Sequence, residues 1–127
     1  MPAALCAGTL ACCALVSPAR AHHSDTAFDT GKSVEWHVQV TEFRFVNPHA
    51  YVYFTMPDGT GKTVNARCEL AARTMLARLG WTGDTIKPGE SITVRGAPGR
   101  NEANVCLLNS FTRADGTEVS AHERLGP

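Results

Sequence analysis

Polar and apolar residues alternate strictly from Ser33 to Val40 (SVEWHVQV), which predicts a half-buried strand. Apolar positions resume at Phe43 and Phe45 on the opposite parity. One extra residue near Thr41-Glu42 reconciles the two halves, and a mid-strand bulge is how a small barrel turns a corner. Asn47-Pro48 breaks the strand. Tyr51 to Met56 predicts a second strand with Val52, Phe54 and Met56 on one face. The turn residues Pro57-Asp58-Gly59-Thr60-Gly61 lead to a third, Thr63 to Cys68, with Val64, Ala66 and Cys68 aligned. Glu69 to Leu79 reads as the one convincing helix. Leu70, Met75, Leu76 and Leu79 form its apolar stripe, and Gly80 stops it. Lys87-Pro88-Gly89-Glu90 turns into a fourth strand, Ser91 to Gly96. After a polar loop, Val105 to Thr112 is the fifth, with a short extended segment at Thr117–Val119.

Three strands, a helix and two strands is the order of a mainly β, five-stranded OB-like barrel, the helix falling between strands three and four. Another small antiparallel barrel or sandwich fits the same order. The expected organisation is a signal segment at residues 1–21, a polar arm at 22–33, the barrel at 34–119 and a frayed tail at 120–127.

The amino-terminal segment decides the compartment. Leu5 to Val16 (LCAGTLACCALV) is small and apolar, and Ala19-Arg20-Ala21 is an A-x-A cleavage pattern preceded by a proline. A buried first helix is the competing reading, but three cysteines and no charge suit an amphipathic helix poorly. Thr9-Leu10-Ala11-Cys12 has part of a lipobox. The expectation is export to a periplasmic or secreted location. No apolar run reaches the roughly 18–20 residues of a membrane-spanning helix, so no span is expected after the signal is removed. Cleavage leaves Cys68 and Cys106 as the mature cysteines, and an oxidising compartment favours a disulfide between them over two buried thiols. If the fifth strand closes on the third, the two cysteines meet. Twelve Lys+Arg balance twelve Asp+Glu over the 127 residues. Nothing in that balance argues for nucleic acid.

Motifs for catalysis are scarce. Gly59-Thr60-Gly61-Lys62-Thr63 looks like the end of a phosphate-binding loop, but Met56 stands where that pattern needs its first glycine, so the segment reads as a hairpin turn. No nucleophile constellation can be read, and His37 and His122 read as solvated. An enzyme is therefore the less favoured class. Trp36, Phe45, Tyr51, Tyr53 and Trp81 could together form a stacking face for a small molecule or a protein partner.

His22-His23 is the most informative local feature. Cleavage after Ala21 makes His22 the first residue, whose α-amine and Nδ1 form a chelating pair. One more imidazole, from His23 or from His49 in the Asn47-Pro48-His49 turn, completes a three-nitrogen set suited to Cu(II). Cleavage after Ala19 puts His22 third, also a copper-capable position. A polar arm whose histidines do nothing remains the bland alternative.

His22-His23-Ser24 after a signal, Phe28-Asp29, Val40-Thr41-Glu42-Phe43 leading to Asn47-Pro48-His49, Gly80-Trp81-Thr82, and Lys87-Pro88-Gly89-Glu90 with Val94-Arg95-Gly96 occur in that order. The chain thereby resembles a family of short exported bacterial proteins of uncharacterised function, through Ala114-Asp115-Gly116. The resemblance implies an exported OB-like barrel and brings no activity with it. The two cysteines are not part of that pattern, so the disulfide rests on this sequence. Three functions follow as expectations: an exported non-enzymatic barrel that binds a ligand, with copper at its N-terminus; an interaction module that docks on a periplasmic or membrane-associated enzyme, or on a small ligand, through its aromatic face; and, least favoured, a copper-dependent redox enzyme.

Overall fold

The computed structural model describes residues 27–126. Strand β1 (Val34–Arg44) buries Val38 and Val40 while Glu35, His37 and Gln39 face solvent. Its first half pairs antiparallel with β4 (Ser91–Pro98) and its second half with β2 (Tyr51–Pro57). The β1–β2 register slips between Val40 and Glu42. Thr41 is the extra residue, and beyond it Phe43 and Phe45 turn inward to pack on the core. The parity change read from the sequence is the barrel corner.

Strand β3 (Thr63–Glu69) continues the meander from β2, and β5 (Val105–Arg113) pairs antiparallel with β4. A parallel pairing of β3 with β5, at Arg67↔Val105, Cys68↔Cys106 and Glu69↔Leu107, closes the ring. The circuit β1-β2-β3-β5-β4 and back to β1 is a closed five-stranded barrel, with helix α1 (Arg73–Arg78) between β3 and β4. This is the mainly β, closed five-stranded barrel expected from the element order, with its helix between strands three and four. A sixth strand, β6 (Glu118–Ser120), extends from the far half of β5. The core joins Val40, Val52, Phe54, Leu76, Trp81, Ile86, Val94, Leu108 and Phe111, all buried, and no polar or charged side chain is buried among the described residues.

Gly96 sits where β4 slips against β5. A Cβ there would run into the Leu107 carbonyl oxygen and lie 2.9 Å from Cys106 Sγ, so only glycine lets the two strands approach beside the cysteine pair.

Three expectations are corrected. The helix does not begin at Glu69, which is the last residue of β3; Leu70 is buried but lies in an extended link, its N–H donating to Ala50 O at 2.8 Å. With six residues, the helix turns Leu76 into the core and leaves Met75 59% exposed, so the predicted stripe does not form. The tail after Val119 is docked, not frayed. Ala121 N donates to Asn109 O, Leu125 N donates to Leu79 O at 2.8 Å, and the Leu125 side chain packs on the core. The arm, too, is tied down where it is described. Phe28 is buried against Ala97 and Val105, and the Asp29 N–H donates to Pro98 O while the Arg100 N–H donates to Ala27 O.

Candidate functional site

The segment Val46–Ala50 joins β1 to β2 and is strapped to the chain that follows β3. Ala50 N donates to Ala71 O, Leu70 N to Ala50 O and Arg73 N to Val46 O, at 2.8–3.1 Å. Thr74 N donates to the Asn47 side-chain oxygen at 3.2 Å. The last two bonds satisfy amides of the first turn of α1, which has no side-chain cap of its own from Ala72. His49 is therefore carried on a pinned turn.

His49 Nδ1 lies 3.0 Å from Glu69 Oε1. Glu69 is the more shielded partner, its side chain 19% exposed against 43% for His49. With the proton on Nδ1 donated to the carboxylate, the Nε2 lone pair is left for a metal or a proton. A carboxylate behind a ligating imidazole fixes its tautomer and orientation, as in many metal sites.

Glu69 also lines a cavity of about 310 Å³ with Ala27, Phe28, Arg67, Glu102 and Cys106. Glu69 thus pairs with His49 of the Asn47-Pro48-His49 turn and shares a cavity lining with Ala27, the first described residue. On the other side of Glu69 a second groove, of about 270 Å³, is lined by His49, Leu70, Met75, Leu108 and His122. At the opposite end of the β2–β3 hairpin, an opening of about 460 Å³ holds His37, whose Nδ1 is 2.7 Å from Thr93 Oγ1, and no other histidine. No cluster of three or more His, Cys, Asp or Glu is poised around a metal position among the described residues. His22 and His23 lie outside them.

The aromatic face does not assemble. Trp81 is 2% exposed and sits in the core against Phe43 and Phe111, its Nε1 without a hydrogen-bond partner. It presents no surface to a ligand, because the loop after α1 folds it inward with Ile86. Trp36 packs on Phe54 and Phe45 on Phe43, both half-buried against the core. Tyr51 and Tyr53 do point outward from β2, their ring centres 6.1 Å apart, with the Arg44 guanidinium 4.9 Å over Tyr53. Partial burial, reinforced by Glu69, raises the Tyr51 phenol above its ordinary pKa.

Cys68 and Cys106 are fully buried and face each other at disulfide distance, with Cα atoms 4.4 Å apart. Sequence reading missed Glu69, taken for the first residue of the helix. The polar/apolar alternation from Thr63 onward, had it been run one residue further, puts Glu69 on the outer face of β3.

Together these features define a small closed barrel that presents one oriented imidazole beside its ring-closing strand pair. The chain belongs to DUF6152, a family of unknown function, matched over residues 9–108. That span takes in His22, His49 and both cysteines. No curated protein and no solved structure matches the chain.

Proposed function

We propose that the protein is an exported, non-enzymatic copper-binding barrel of the periplasm or the secreted fraction. In this reading His22, freed by signal cleavage, chelates Cu(II) through its α-amine and Nδ1, and His49 Nε2 supplies the third nitrogen, with His23 the alternative donor. The observation that supports it is the pairing of His49 with Glu69, a residue that lines one cavity with Ala27. Four residues lie between His22 and Ala27, and the five steps from one to the other reach up to about 17 Å. Three nitrogen donors favour Cu(II) over other divalent ions in both affinity and geometry.

The test starts from protein purified from the periplasm, with its first residue determined and its metal content measured. Copper titration followed by electron paramagnetic resonance should give one Cu(II) per chain with a nitrogen-rich signal. A Met-Gly extension ahead of His22 should abolish tight binding, and His49→Ala should simplify the nitrogen hyperfine pattern. Equal affinity with and without the extension sinks the terminal chelate. An unchanged pattern in His49→Ala leaves His23 as the third donor. Protein that binds no copper at all returns the question to docking through Tyr51 and Tyr53.

A further inference from the structure

The outer face of β1, β2 and β3 carries one charge pattern twice, in opposite senses. Residues directly paired across antiparallel strands share a face, so they form rows. One row reads Arg44, Tyr51, Glu69 and the next reads Glu42, Tyr53, Arg67. A tyrosine stands in the middle of each, and the two ring centres are 6.1 Å apart. The row beyond, Gln39, Thr55 and Asn65, carries no charge.

Two arginines and two glutamates leave the face without net charge, so it favours neither an acidic nor a basic partner. A reversed pair of rows has another property: it complements itself. A two-fold axis in the plane of contact turns one copy over onto the other. With that axis along β2, Arg44 meets the partner's Glu69 and Glu42 meets the partner's Arg67. With the axis across the strands, Arg44 meets the partner's Glu42 and Arg67 meets the partner's Glu69. In both settings every arginine faces a glutamate and every tyrosine faces a tyrosine. Both arginines on one strand, or both in one row, would bring like charges together in one of the two settings.

The side chains are already ordered for contact. Arg44 is held by Glu42 at 2.7 Å and lies 4.9 Å over the Tyr53 ring. Arg67 bonds Glu102 at 3.3 Å, and Glu69 bonds His49 at 3.0 Å. A guanidinium has five N–H donors, so each arginine keeps donors for a second carboxylate. Side chains fixed in advance lose less entropy on association. Tyrosine and arginine are also the residues that protein interfaces select. We propose that this face is the interface of a homodimer, in which Tyr51 and Tyr53 of one copy pack on the same face of a second copy across a two-fold axis. A face this small makes a weak, transient dimer, and its charge pairs make it sensitive to salt. The proposal goes beyond the copper reading and does not rest on it.

The test is analytical ultracentrifugation of the mature protein in EDTA, from micromolar to millimolar concentration. A monomer–dimer equilibrium is expected, shifting toward monomer as salt rises. Arg44→Glu, Arg67→Glu and Glu42→Arg each set like charges opposite each other twice per dimer, whichever axis holds. Each alone should weaken association more than about tenfold. The deciding measurement mixes variants. Glu42→Arg with Arg67→Glu restores opposite charges at every contact when the axis runs along β2. Glu42→Arg with Arg44→Glu does so when it runs across the strands. One of these mixtures should dimerise as the wild type does, and that rescue requires two folded chains. A wild-type chain that stays monomeric throughout overturns the proposal. So does a dimer that the single reversals leave intact, or one that neither mixture restores. No metal is present in any arm, so failure here leaves the terminal chelate untouched.

Discussion

Cys68 and Cys106 stand directly opposite each other in the parallel β3–β5 pairing, at the seam that turns a curled sheet into a barrel. A bond there closes a loop of 38 residues in sequence separation. In the chain-entropy treatment that is worth about 4 kcal/mol. Denatured, unreduced protein should show no free thiol from these two residues. Urea unfolding with and without reductant should differ by most of that amount. Two reactive thiols per mature chain would falsify the bond.

Glu69 is predicted to set the tautomer of His49. Glu69→Gln keeps the shape of the side chain but weakens its hold on the Nδ1 proton. Cu(II) affinity should fall about tenfold, the usual scale for losing a carboxylate behind a ligating histidine. Nitrogen-15 shifts of the His49 ring should move toward a mixed tautomer in the metal-free variant. Urea unfolding should change little, because the pair is half exposed. An unaltered tautomer with unaltered affinity would remove Glu69 from the site.

Phe28 ties the arm to the barrel through a small cluster with Ala97, Val105 and Leu107. Phe28→Ala should cost about 3 kcal/mol, the low end for a buried aromatic, since the cluster is a satellite of the main core. Hydrogen exchange at the Asp29 and Arg100 amides, which bond Pro98 O and Ala27 O, should rise well above that of the β2 amides. If the barrel loses protection uniformly instead, the arm is not a separate unit.

Asp58 holds the β2–β3 turn, accepting hydrogen bonds from the Thr60 hydroxyl, the Thr60 N–H and the Lys62 N–H. Those bonds, the Thr60 hydroxyl foremost, lower its pKa below the ordinary 3.8. A lowered folded-state pKa gives stability that is present above the unfolded value and disappears as pH falls through the folded one. The difference in urea midpoint between wild type and Asp58→Ala should therefore be constant from pH 7 to about 5 and shrink toward pH 3. A difference independent of pH would mean that the carboxylate charge contributes nothing to the turn.

Much of this architecture is legible in the residues themselves. The shift of parity between Val40 and Phe43 announces the bulge, and the turn-rich segments around Gly59, Gly89 and Gly116 divide the strands where the chain divides them. The closure of β5 on β3, inferred from element order, brings the cysteines together. What local pattern does not convey is competition between neighbours. Leu70 has the spacing of a helical residue, but a backbone bond to Ala50 keeps it extended. Trp81 follows a helix stop and resembles a surface platform, yet the core beneath α1 had room for an indole and took it. Leu125 gave no periodic signal because its partner, Leu79, lies 46 positions away. The pair at the turn was only half visible. His49 stands in a recognisable motif, whereas Glu69 comes from the end of a strand twenty residues on.

Six residues of helix have no stability of their own in water, since nucleation costs more than so few bonds return. Here the first amides of α1 are satisfied by Val46 and Asn47, so the helix exists only while the turn that carries His49 is in place. The barrel's plug and its oriented imidazole are consequently a single cooperative piece. Any ligand that grips His49 clamps the plug as well, and a chain whose plug has come loose has no site left to offer.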